Sequence, residues 1–137
     1  MATREEEAAR WRAISLNGRK AAQHLLEAEC YRSSASRAYY AAHAAITSAL
    51  VQQGITLGYG GSNPGHAGLP VYVLNNLTAF PMASRFEINK ALRRLYRARV
   101  EADYVAAAVV DRVSAKRSVR DLGRVLQLLG LERRGGG

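Results

Sequence analysis

Cysteine occurs once, at Cys30, so neither an internal disulfide framework nor a paired-cysteine metal knuckle can form, and any thiol chemistry would rest on that residue. Histidine is scarce too: His24, His43 and His66 are dispersed without the local spacing of a metal site, and neither a metal nor another cofactor is expected. No apolar run reaches the roughly 20 residues that a bilayer-spanning helix needs. The longest, from Ala38 to Val51, is broken by His43, Thr47 and Ser48. The opening MATREEEAARW has acids where a secretory leader would have cations before an apolar run, so a cytoplasmic protein without membrane attachment is expected. Strand-like alternation is nearly absent. Acids are in deficit: eleven Asp and Glu face twenty Lys and Arg, which leaves a net charge of +9 and a pI near 10.3. That excess favours anionic partners. Seventeen of the cations are arginine, whose planar fork matches phosphate and stacks on bases where lysine does neither.

What the chain does have is helix punctuation, in a length suited to one domain. Thr3 with Glu6, and Ser84 with Glu87, have the spacing of capping boxes, so a helix is expected to start at each. Behind the first, Trp11, Ile14, Ala21, Leu25 and Ala28 predict a core-facing stripe that runs to about Glu29, with Asn17-Gly18 as a point of kinking. A second helix, buried on two faces, is expected from Ser33 or Ser34 to about Gly54. There Ala35, Tyr39, Ala42, Ile46 and Ala49 recur beside Tyr40, His43, Thr47 and Leu50. The segment 54–70 reads as a glycine-rich loop; Gly60 and Gly65 have P-loop spacing, but the required Lys-Ser/Thr does not follow them. Pro70 is placed to open a short third helix through Leu77. The fourth helix carries Ile88, Leu92, Leu95, Arg99 and Ala102 on one stripe. The last is capped by Asp111, presents Ala115, Val119, Leu122, Leu126 and Leu129, and stops at Gly130. The pattern predicts an all-α protein, a single antiparallel bundle of four to five helices over residues 1–131, with 132–137 as a disordered tail.

Arg99 stands out, because a guanidinium on a core-facing stripe is costly unless something anionic meets it. Asp103, one turn later, is the expected partner. Two roles are open to the pair: it can pin helices together, or it can present Arg99 to a phosphate. In the second case Arg93, Arg94 and Arg97 supply the surrounding field, while Tyr96 and Tyr104 stack on bases. Arg37, on the second helix, is expected to reach Asp103 and orient Arg99 through it.

Two segments, SRAYYAAHAAITSALVQQG at 36–54 and LRRLYRARVEADY at 92–104, resemble the HEPN domain superfamily of small α-helical prokaryotic proteins. The resemblance implies a bundle of four or five helices that forms a homodimer, with a basic cleft where the two copies of the fourth helix meet. Many such relatives are metal-independent ribonucleases, often toxins opposed by a small nucleotidyltransferase-like antitoxin. Their Arg-x(4–6)-His motif lets arginine stabilise charge on phosphate and histidine move the proton of the attacking 2′-hydroxyl. By position, Arg99 matches the motif arginine and Tyr104 stands where the histidine would be. The last histidine in the chain is His66, so no arginine of the fourth helix is followed by one. Tyrosine, with an ordinary pKa of about 10, is a weak base at neutral pH, which leaves His43 on the neighbouring helix as a candidate proton carrier. The expectation is a protein that binds RNA or nucleotide phosphate, with a toxin-type ribonuclease of a toxin–antitoxin or defence module as its enzymatic form. The alternative is a non-enzymatic module for dimerisation or partner docking.

Overall fold

The computed structural model describes residues 2–55 and 68–132, and their regular structure is entirely helical: α1 (Arg4–Glu27), α2 (Tyr31–Gln52), α3 (Leu69–Asn76), α4 (Met82–Tyr104) and α5 (Arg112–Leu128). His66, Gly60 and Gly65 lie outside the described residues, as does most of the glycine-rich segment. The helices pack as one bundle with α2 against all four others. Its residues from Ala41 to Ser48 are buried on every face, as the doubled stripe predicts. Tyr39, Ile46 and Leu50 meet Leu69, Val73 and Leu77, then Ile88, Leu92 and Leu95, and Leu122, Val125 and Leu126 from the remaining helices.

Close approach of α1 and α2 follows from small residues repeating every seventh position. The Ser15 hydroxyl donates to the Ala41 carbonyl at 2.6 Å, Ser34 to Ala22 at 2.8 Å and Ser48 to Ala8 at 2.6 Å. As the α1 number rises by seven, the α2 number falls by seven, which is an antiparallel seam held in register over two heptads. Each hydroxyl exchanges water for a buried carbonyl, a net gain of about 1 kcal/mol. Gly18 sits in the same seam, within a helix that runs without a break from Arg4 to Glu27: a Cβ there would stand 3.0 Å from the Ala41 Cβ. The stripe expected to face the core is therefore displaced. Ile14 is 54% exposed and Trp11, Ala21 and Leu25 are only partly buried, while Ala8, Ser15 and Ala22 take the inner face.

Three of the expected ends hold. Thr3 caps α1 by accepting from the Glu6 amide at 3.1 Å. Asp111 and Ser114 form a reciprocal capping box on α5, and the Ser114 amide holds the Asp111 carboxyl below its ordinary pKa. Gly130 takes the left-handed conformation that ends that helix, at φ 77°. Two starts differ. Helix α4 begins at Met82 because Pro81, with extended ψ and a carbonyl that accepts from the Arg85 amide at 3.0 Å, opens it ahead of Ser84. Glu87 is then free for Arg124, at 2.9 Å, instead of a capping box. Helix α2 begins at Tyr31, after Glu29 turns the chain with φ 64°, so Ser34 serves the seam and not a cap.

Replacing Gly18 with valine is expected to cost about 1–3 kcal/mol, since the added atoms meet backbone-anchored Ala41 and cannot rotate away. Urea denaturation with wild-type stability would show that the seam is looser than this.

Candidate nucleic-acid interface

Helices α2 and α4 run antiparallel, and one turn of each brings four polar side chains together. The Ser36 hydroxyl donates to Asp103 Oδ2 at 3.0 Å, and one turn on, Arg99 Nη2 donates to the Tyr40 hydroxyl at 2.5 Å. Arg99 Nε lies 3.2 Å from Asp103 Oδ2, a pairing of charges without an aligned hydrogen bond. Nη2 also donates to the Tyr104 hydroxyl at 3.2 Å. Both phenol rings contact the guanidinium, with centroids 5.2 Å (Tyr40) and 5.0 Å (Tyr104) from Cζ, a cation–π arrangement that replaces part of the lost hydration. Arg99 is only 9% exposed. Burial works to lower its pKa; the Tyr40 and Tyr104 phenols and the Asp103 carboxylate more than offset this, so the net shift is upward and the group stays charged.

Arg32 fixes the end of α4 that carries Asp103 and Tyr104. Its guanidinium donates to the carbonyls of Glu101, Ala102, Val105, Ala106 and Ala108 at 2.8–3.2 Å. These include the carbonyls that a helix end leaves without partners. Nothing in the local pattern of residues around Arg32 announces this clamp, because its acceptors are backbone atoms some seventy positions away.

Beside this cluster lies a groove of about 550 Å³, bounded by Arg93, Tyr96 and Arg97 of α4, by Pro70 and Val71 of α3, and by the buried Tyr39 and Leu92. Arg93 Nε donates to Asn89 Oδ1 at 3.1 Å, and Asn89 Nδ2 to the Pro70 carbonyl at 3.0 Å, which ties one wall to the other. The Tyr39 ring meets Tyr96 edge-on at 5.6 Å and Tyr40 at 5.3 Å, so the groove and the Arg99 cluster share an aromatic wall. Burial pushes the Tyr39 phenol well above its ordinary pKa, with Tyr40 and Tyr96 adding to it and Arg99 opposing.

The structure thus brings Arg99, Asp103 and Tyr104 into contact and gathers Arg93, Tyr96 and Arg97 next to them. It sets the other candidates apart. Arg94 is turned towards α5, where Nη2 and Nε meet the two Asp121 carboxylate oxygens at 2.9 and 3.1 Å. Arg37 is exposed, and Asp103 is reached from α2 by Ser36 instead, one position earlier and 100° around the helix. His43 is buried, its ring edge-on to Tyr39 at 6.1 Å, and it adjoins the cluster through Tyr39 and Tyr40. His24 and Cys30 are exposed. Ser36 and Tyr40, part of the segment that carries the HEPN resemblance, were given no role in the site from the sequence. Their signal was the equal step: both pairs, 36 and 40, 99 and 103, are one helical turn apart.

Residues 8–133 match the family model of the HEPN domain. The chain belongs to the HEPN family. No curated protein and no solved structure gives a significant match. The segments that carry the HEPN resemblance, Ser36 to Tyr40 and Arg99 to Tyr104, are the two halves of the polar cluster. In this HEPN domain they interlock helix with helix.

Removing the Arg99 side chain with Arg99→Ala is expected to destabilise the fold by about 1–3 kcal/mol, less than a fully enclosed pair because Asp103 keeps part of its carboxylate in water. Tyr104→Phe, which keeps the ring over the guanidinium, is expected to cost below about 1 kcal/mol. Chemical denaturation of both variants checks the order; equal losses would contradict the packing described.

Proposed function

We propose that this HEPN protein binds RNA or a nucleotide through the groove on α4, with Arg93 and Arg97 on phosphate and Tyr96 against a base. The observation that carries the reading is the pairing of two exposed arginines, one turn apart, with a tyrosine face in a groove of about 550 Å³. That is the combination of cation and stacking platform by which single-stranded nucleic acid is held. Arg99 supports the site from behind: its charge is fixed, two phenols lie against its guanidinium, and Tyr39 and Tyr40 stand between it and the groove. HEPN domains are often ribonucleases of toxin–antitoxin or defence systems. We place this chain in such a module, opposite a nucleotidyltransferase-like antitoxin, as a member that holds RNA without cutting it. Tyr104 occupies the position of the motif histidine and is engaged by Arg99.

A second reading, a dimerisation or partner-docking module, is favoured by one observation. Tyr104, Val105, Val109 and Val113 are 69%, 41%, 80% and 62% exposed around the end of α4 and the start of α5. A second copy seated there would bury them, and would bring two Arg99 clusters near one another.

Fluorescence anisotropy with a labelled single-stranded RNA separates the two readings. Binding that weakens about tenfold or more in Arg93→Ala/Arg97→Ala, with an unchanged melting curve, and RNA that stays intact in EDTA, is the expected result. Equal affinity of variant and wild type would remove the groove reading. A dimer in light scattering that Val109→Asp converts to monomer would then leave the docking module.

A further inference from the structure

Three arginines that face another element meet an acid: Arg94 on Asp121, Arg124 on Glu87, Arg19 on Glu132. The outer face of α5 breaks this pattern. Arg112, Lys116, Arg117 and Arg120 are all exposed, and none has an ion-pair partner among the described residues. Arg112, Lys116 and Arg120 follow one another at single-turn steps, a ridge about 12 Å long. The one acid of α5 is Asp121, already engaged by Arg94. Neighbouring charges along this ridge lie within roughly a Debye length and repel one another, which works against the folded state.

The face and the groove lie on adjacent helices. Glu87–Arg124 and Arg94–Asp121 set α4 and α5 antiparallel. One turn from the Arg94–Asp121 contact towards the end of α4 lies Arg97, a groove residue; one turn from it towards the start of α5 lies Arg117. Both arginines lie one turn from that contact towards the same end of the helix pair.

We propose that the outer face of α5 is a second binding surface, whose ligand is the sugar–phosphate backbone of the RNA strand that enters the α4 groove. The inference rests on the groove reading for its register and extends it: the ligand is a strand several nucleotides long and not a mononucleotide. Charge complementarity commits the face to a polyanion. A lipid surface fits less well, because Val113 is the one large apolar side chain of α5 that stands exposed, with no Trp or Phe to insert.

The test uses the whole chain and a fourfold variant, Arg112→Gln, Lys116→Gln, Arg117→Gln and Arg120→Gln, whose fold is checked by circular dichroism. Adenosine monophosphate reads the groove alone; a short single-stranded RNA reads both surfaces. The expected result is unchanged mononucleotide affinity, RNA affinity weaker by about tenfold or more at roughly 0.1 M salt, and a salt slope shallower by about 0.7 for each cation that touches phosphate. RNA affinity and slope equal to wild type overturn the proposal. So does loss of binding to phosphatidylserine vesicles with RNA binding intact, which would assign the face to a membrane. If the α5 variant loses RNA while Arg93→Ala/Arg97→Ala does not, the α5 surface stands and the groove reading falls. Wild type that binds no RNA removes both.

Discussion

A guanidinium cannot give up its charge, and one of them stands on the stripe that α4 turns towards α2. Much of the architecture around Arg99 answers that requirement. An anion must lie within reach, and Asp103 supplies it from one turn along the same helix. The anion must itself be held, and Ser36 does so from α2. The guanidinium needs neighbours better than alkane, and the rings of Tyr40 and Tyr104 supply them. Because the partners come from two helices, the distance and register between α2 and α4 are set by the same contacts that keep the charge tolerable. The groove inherits that register, since Tyr39 and Tyr96, its aromatic residues, sit next in line.

Rigidity behind the site comes from less conspicuous chemistry. Along α1 and α2, three serine hydroxyls and one glycine let two backbones approach over their length, which anchors α2 from the side away from α4. At the other end, Arg32 gathers the carbonyls that follow Glu101 and fixes the turn that carries Tyr104. Such a scaffold suits a binding surface whose side chains must be presented at constant spacing.

The sequence showed helices more readily than their faces. Asp111, Gly130 and the stripe of α4 were legible because each depends on local spacing: a carboxylate three residues from a donor, a residue tolerant of positive φ, apolar positions at fixed steps. The inner face of α1 was not, because hydrophobicity marks a core only when burial is apolar. Ala8, Ser15 and Ala22 are buried by close contact and by hydrogen bonds to carbonyls, with Gly18 partly buried beside them, and their neighbours Trp11 and Ile14 carry the stronger apolar signal. The start expected at Ser84 failed because Pro81 opens the helix first. Within the site, Arg99 with Asp103 was legible as a charge out of place and a partner one turn away. The exchange of Arg37 for Ser36 was a matter of helical phase, which spacing within one helix cannot set. Arg94 looked like its neighbours in composition and differs from them only because Asp121 faces it across an interhelical gap.

In this HEPN domain the buried Arg99 of α4 donates to the hydroxyl of Tyr104, five residues on and largely exposed. The recognition proposed above falls to Arg93, Tyr96 and Arg97 of the neighbouring groove. The most direct test is a nuclear magnetic resonance titration with a short single-stranded RNA, following backbone amides and arginine Nε–H signals together. The account predicts that Arg93, Tyr96 and Arg97 shift first and furthest, while the Arg99 Nε–H remains in its ion pair. Shifts that leave those three residues silent, or that release Arg99 from Asp103 and Tyr104 to meet the ligand, would contradict it.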